Sequence, residues 1–165
     1  MIDTNEALAG LIATLQGTDW VAMDTEADSL HSYPERLCLI QISTASTDAL
    51  IDPLAGLDLA PLWRFLYQHE LILHGADYDL RLLRKGHQFQ PARLFDTMIA
   101  ARLLGYERFG LSDLVERHLG IRLEKGPQKM DWGRRPLTDR MRTYALNDTK
   151  HLRPLELMLK EQLSA

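Results

Sequence analysis

The sequence predicts a mixed α/β fold: one sheet that combines an antiparallel meander with parallel strands and is flanked by helices. Three observations predict it. Strand-like runs at residues 20–26, 37–42 and 49–52 follow one another through connections too short for crossover helices, which makes them antiparallel neighbours. Two further short runs, residues 71–74 and 94–95, are each followed by a helical pattern, the arrangement that adds parallel strands. Strands come first and helices dominate later, so the helices pack against the sheet.

The elements follow in order. Asp3 with Glu6 reads as a helix N-cap and its capping-box partner, and Ala7, Leu8, Leu11, Ile12 and Leu15 follow at helical spacing, up to a stop at Gly17. After the strand at 20–26, residues 27–35 carry Asp28, Ser29, Ser32 and Pro34, which is loop chemistry. Residues 37–42 are nearly all apolar and read as a central strand, and 49–52 as a short third strand ended by Pro53. Helical periodicity at 59–68 precedes the fourth strand, and Gly75 opens a helix running to about Lys85. A helix is expected over 97–104 with Asp96 as N-cap, and another over 111–119 closed by Gly120. Residues 121–137 are polar, with Gly126, Pro127, Gly133 and Pro136, and are the best candidate for a mobile loop. Thr138 caps a final helical region through Leu163, with Pro154 marking a kink or break.

At 165 residues, 45% hydrophobic and 25% charged, the chain is expected to form one domain over residues 1–165, its core about 20–160, with no C-terminal helical nucleic-acid-binding domain. A formal charge of −4 does not advertise a nucleic-acid binder, although clustering of basic side chains matters more than their total. The single cysteine, Cys38, reads as a small buried hydrophobe and excludes both an intramolecular disulfide and a cysteine-rich zinc site. No signal peptide and no apolar run of membrane-spanning length is visible, so a cytoplasmic location is expected.

The chemistry begins at residues 21–26, where an apolar run ends in two carboxylates separated by a threonine. On a strand, Val21, Met23 and Thr25 face one way, and Ala22, Asp24 and Glu26 the other. Two acids side by side at a buried strand end repel each other and are costly to desolvate, a problem a cation removes. Later segments supply partners. In residues 74–80, Asp79 shares a helical face with Ala76, Leu82 and Leu83, whereas Asp77 shares its face with Arg81 and Arg84, a solvated ridge; Asp79 is therefore the expected inward acid. Tyr144 and Asp148 lie four apart and stack on one face of a late helix.

Together these motifs resemble the DEDD superfamily of 3′–5′ exonucleases, in the branch with tyrosine in the third motif, and within it the ribonuclease D-type exonuclease domain. Asp24-Thr25-Glu26 matches the first motif, residues 74–80 the second, with the family acid on Asp79, and residues 144–148 the third. Leu94-Phe95-Asp96-Thr97 and residues 131–137 resemble the same group, and the similarity spans about residues 20–160. The branch with a catalytic histidine places it five residues before the last aspartate, where this chain has Thr143. The resemblance implies a ribonuclease H-like fold and catalysis with two Mg²⁺ or Mn²⁺ ions about 3.5–4 Å apart. Hard cations suit four carboxylates better than zinc does. It implies Asp24 as bridging ligand, Glu26 and Asp148 completing the nucleophile-side ion, Asp79 holding the other, and Tyr144 orienting the attacking water. A phenol ordinarily ionises near pH 10, so orientation suits it better than general-base work.

For substrate contacts, the resemblance places the terminal base just after the first motif, from Ala27 to Leu30, and His74 lies in the second motif. Lys125, Lys129, Arg134 and Arg135 offer phosphate contacts beside the polar loop, with a solvated surface as the competing reading. Trp132 offers a stacking surface, with anchoring of the loop as the bland reading. The expected partner is single-stranded RNA, shortened from its 3′ end to 5′-mononucleotides, with DNA or very short oligonucleotides as alternatives. The short chain would bind long RNA with the catalytic domain alone, act as a homo-oligomer, or prefer short substrates. A non-catalytic nucleic-acid-binding module is the alternative of another class.

Overall fold

The structure, a computed structural model, describes residues 1–29, 33–124, 126 and 130–165. Its five-stranded sheet has the order β3-β2-β1-β4-β5. β1 (Trp20–Ala27), β2 (Leu37–Ser43) and β3 (Asp48–Ile51) form the expected antiparallel meander. β4 (Glu70–Leu73) and β5 (Arg93–Asp96) add in parallel beside β1. β1 is thus the middle strand, antiparallel to one neighbour and parallel to the other.

Seven α-helices surround the sheet among the described residues. α1 (Asn5–Thr14) and α2 (Ala60–Tyr67) cover one face together with α3 (Asp77–His87). α4 (Thr97–Leu103), α5 (Leu111–Leu119), α6 (Asp139–Lys150) and α7 (Leu152–Leu163) belong to the other side. The alternation of β1 divides the two cores. Val21 and Met23 join Leu71, Leu73, Leu82 and Leu83 on the α1–α3 side. Ala22 packs with Ile72 and Leu152 on the opposite side. β2 is buried along its whole length, which explains its nearly unbroken apolar run.

Three local expectations shift. The N-cap of α1 is Thr4, not Asp3: Thr4 has the extended backbone a cap needs, and its Oγ1 accepts the Ala7 N–H. The last helical region divides at His151, and Pro154 sits within the first turn of α7, where an absent N–H leaves no helical hydrogen bond unmade. The polar segment before α6 is anchored over its last residues, at Trp132 and Leu137. Trp132 is 1% exposed among Cys38, Leu39, Leu50, Leu137 and Met141. No helix is long and apolar enough to cross a membrane among the described residues.

Candidate active site

The site forms where the C-terminal end of β1 meets α6. Strand alternation sends Asp24 and Glu26 toward α6, and the i, i+4 spacing on α6 returns Tyr144 and Asp148 toward them. One carboxylate oxygen from each of Asp24, Glu26 and Asp148 lies within 4.8 Å of the others. α6 is fixed at this height by a buried hydrogen bond of 2.7 Å between Ser43 on β2 and Thr149. Asp79 arrives from the other face of the sheet. Thr25 points away from its two acidic neighbours, and its hydroxyl donates to Asp79 Oδ1 at 2.5 Å. Asp79 is buried, whereas Asp77 is exposed and pairs with Arg81, the division that the helical faces require.

Among the described residues, the groups that shift these four acids are other carboxylates and hydrogen-bond donors, with no cationic side chain among them. Burial raises the Asp24 carboxyl well above the usual range, and repulsion from Asp79, Asp148 and Glu26 adds to the rise. Burial, then Asp148 and Asp79, push Glu26 up to about 9. Burial lifts Asp148 to about 7 against the hydrogen bond from Tyr144. Asp79 is raised by burial against the Thr25 hydrogen bond. Gln41, paired with Asp24 across the sheet, has its amide nitrogen 3.5 Å from Asp24 Oδ2, too far for a strong hydrogen bond. Buried, mutually repelling, all-oxygen donors fit hard divalent cations: a cation lets each acid ionise where repulsion now opposes it.

The carboxylates open on a cavity of about 380 Å³, lined by Asp24, Glu26, His74, Met98, Gly110, Leu111, Tyr144 and Asp148. The sequence profile of the 3′–5′ exonuclease family matches residues 1–164. Ribonuclease D of Zymomonas mobilis is 44% identical over 99% of this chain, which covers 43% of that protein. The chain belongs to the 3′–5′ exonuclease family. Among solved structures of the family's kind, Escherichia coli RNase D superposes with a TM-score of 0.92 at 34% identity, over 99% of this chain and 44% of that one. Brucella melitensis NrnC superposes at 0.79 with 28% identity, over 91% of this chain and 77% of that one; further structures of NrnC hold pGG and Mg²⁺. The chain spans less than half the length of the ribonuclease D relatives it matches.

Within this family member, the other residues singled out in the sequence divide sharply. Arg135 is not available for phosphate. Its Nε and one Nη2 proton hold Asp52 at 2.6 Å each, the other Nη2 proton goes to Cys38 O at 2.7 Å, and Nη1 donates to the carbonyls of Trp132 and Arg134. All five guanidinium N–H groups are therefore used inside the protein. Trp132 takes the anchoring role and not the stacking one: it is buried, its ring 6.2 Å from that of Tyr144, and it holds the segment. Ala27 is half-buried and packs against the α1–α3 core, beyond a register shift that follows Glu26. Arg134 is exposed. Leu30, Lys125 and Lys129 lie outside the described residues. Asp96 caps α4 as expected and also accepts the N–H groups of Gly75 and Ala76, bracing the turn that carries His74.

His74 does line the cavity. Burial lowers its imidazole to about 4, against the pull of Asp96, so the ring is neutral at physiological pH. Met98, Gly110 and Leu111 carried no local signal; they are ordinary helix and loop residues until the fold brings α4 and α5 to the carboxylates. Gly126 is a further such case. A Cβ built there would fall 1.4 Å from Tyr144 Cδ2, so the backbone at Gly126 lies directly against the phenol ring.

Proposed function

We propose that this chain is a metal-dependent 3′–5′ exoribonuclease that removes 5′-mononucleotides from single-stranded 3′ ends. The observation that carries the reading is the convergence of Asp24, Glu26 and Asp148 within 4.8 Å, beside Tyr144, in a chain of the 3′–5′ exonuclease family. Asp24, Glu26, Asp79 and Asp148 would hold two divalent ions, Mg²⁺ or Mn²⁺. Such ions supply an activated water and offset the charge that develops on the departing 3′ oxygen. The chain's own residues do the positioning. Tyr144, whose hydroxyl hydrogen-bonds Asp148, orients the water. Thr25 holds the Asp79 carboxylate in place.

RNA is favoured as substrate by the 44% identity to a ribonuclease D across the whole chain. Action on very short oligonucleotides is a second reading, supported by the likeness to an NrnC that binds pGG. The test is an end-labelled assay with RNA and single-stranded DNA from two nucleotides upward, in Mg²⁺, Mn²⁺ or EDTA. Stepwise shortening from the 3′ end is expected, abolished by chelator and by Asp24→Ala. Tight RNA binding by the wild-type protein without shortening in either metal would sink the enzymatic reading in favour of a binding module. A rate that peaks at two or three nucleotides selects the short-substrate reading.

A further inference from the structure

We propose that this chain carries a second nucleic-acid site, a stacking pocket for single-stranded RNA at the end of the sheet opposite to the active site. The choice of RNA as occupant rests on the function proposed above; the pocket itself is separate from the catalytic cavity.

The pocket is a cavity of about 520 Å³ at the C-terminal ends of α2 and α3, beside the residues that lead into β5. β4 and β5 follow Gln68 and Gln90 and run in the direction of β1. The cavity therefore lies where the parallel strands start, whereas the acids lie where β1 ends. It also belongs to the α1–α3 side of the sheet, across from α6. Its lining is aromatic. Trp63 is half-buried, stacked on the buried Phe89 ring at 5.0 Å and 28°, and 5.2 Å from the His87 ring. This packing holds the indole in place before any ligand arrives. Tyr67, one turn later on α2, is 58% exposed.

A second observation is independent of the rings. Gln88 has a φ of 54°, and every other left-handed residue among those described is a glycine. Glycine usually takes this position after a helix, because a Cβ there crowds the following carbonyl. A side chain kept in a costly conformation points to a use for it. Gln88 lines the cavity together with Gln68 and Gln90. Side-chain amides both donate and accept, as the edges of bases do. No carboxylate lines the cavity among the described residues, whereas Arg64 does. Arg64 and Arg84, the latter one turn before Gln88, are exposed and make no ion pair among the described residues. The partial negative charge of two helix C-termini disfavours a bare anion, which leaves phosphate contacts to these arginines. Rings for stacking, amides for base edges and unpaired cations for phosphates together suit an unpaired nucleic-acid strand.

Binding in EDTA, where shortening does not intervene, tests the pocket. Fluorescence anisotropy reads the affinity for labelled single-stranded RNA of about 20 nucleotides, longer than a single stacking site needs. Tyr67→Ala should weaken binding roughly 5- to 100-fold, the loss of one stacked base. Arg64→Ala should reduce the slope of log K against log salt by about 0.7, the loss of one phosphate contact. Gln88→Gly should weaken binding while leaving the thermal midpoint equal or higher, because glycine relieves the backbone. All three side chains are exposed, and thermal melts confirm that the variants are folded. With Mg²⁺ present, turnover of a dinucleotide should match wild type in every variant. No measurable RNA binding, or an affinity and salt slope unchanged across the variants, overturns the proposal. A parallel loss of dinucleotide turnover also overturns it, since the effect would then run through the active site. An aromatic groove can also take a proline-rich peptide. Binding of such a peptide that Tyr67→Ala abolishes, with RNA affinity unchanged, assigns the pocket to a protein partner and overturns the RNA reading. RNA shortening by a protein whose affinity ignores all three substitutions refutes this site and leaves the exonuclease reading intact. Affinity lost in the variants of a protein that never shortens RNA keeps the site and refutes that reading.

Discussion

Removing the charge of Asp24 should stabilise the metal-free protein while abolishing its response to metal. The acids of the site are raised, and the sign follows from that. A carboxyl whose folded pKa lies above its unfolded value contributes stability that is full below the unfolded pKa and lost as pH rises through the folded one. For Asp148 that window runs from 3.8 to about 7, and for Glu26 from 4.5 to about 9. Each proton kept by the folded state alone costs about 1.4 kcal/mol of stability per pH unit. Between pH 5.5 and 7, one such proton removes about 2 kcal/mol, or roughly 4–8 °C of Tm for a chain of this size. Divalent metal reverses the loss. At a hundred times its Kd it adds about 2.7 kcal/mol, or roughly 5–11 °C. Binding must expel the retained protons, so the metal-induced shift should be large at pH 8 and small at pH 5.5.

The assay is a thermal melt at both pH values in EDTA and in Mn²⁺, on wild type and Asp24→Asn. The variant should melt higher than wild type in EDTA at pH 8, by about 1–3 kcal/mol equivalent, because the unfolded chain no longer gains from ionising that group. Its metal-induced shift should vanish. A metal response equal at pH 5.5 and 8, or an Asp24→Asn protein that melts lower in EDTA and still responds to Mn²⁺, would refute the reasoning.

Other outcomes follow from the same geometry. Tyr144→Phe should lower kcat roughly 10²-fold, with the metal-induced Tm shift retained, since the phenol orients and the carboxylates bind. Gly126→Ala should displace the Tyr144 ring from its position against that backbone and lower kcat more than it raises KM, read by steady-state kinetics on a short oligonucleotide. Arg135→Ala leaves the buried Asp52 unpaired and should cost about 3 kcal/mol in a urea melt, without changing the salt dependence of RNA binding, because all of its donors point inward.

Much of the site was legible because it depends on short-range periodicities. A period of two places Asp24 and Glu26 on one face of β1, and a period near 3.6 places Tyr144 above Asp148 and separates Asp79 from Asp77. Such relations hold within one element and survive whatever the rest of the chain does. The antiparallel meander was equally visible, since short connections leave neighbouring strands few other ways to pair.

What a charged or aromatic side chain faces across the fold is a different matter. Arg135 and Trp132 have the residue types of a nucleic-acid contact, and only the approach of Asp52, the Cys38 carbonyl and the β2–α6 core makes them structural. Met98 and Leu111 become cavity walls only when α4 and α5 reach the end of β1. His74 gains a defined tautomer because Thr97, 23 residues away, turns its single proton elsewhere. The sequence by itself determined the four acids, the tyrosine and the faces they occupy. The tertiary structure decided which polar groups were already satisfied, because hydrogen-bond partners are set by distance in space and not by spacing along the chain.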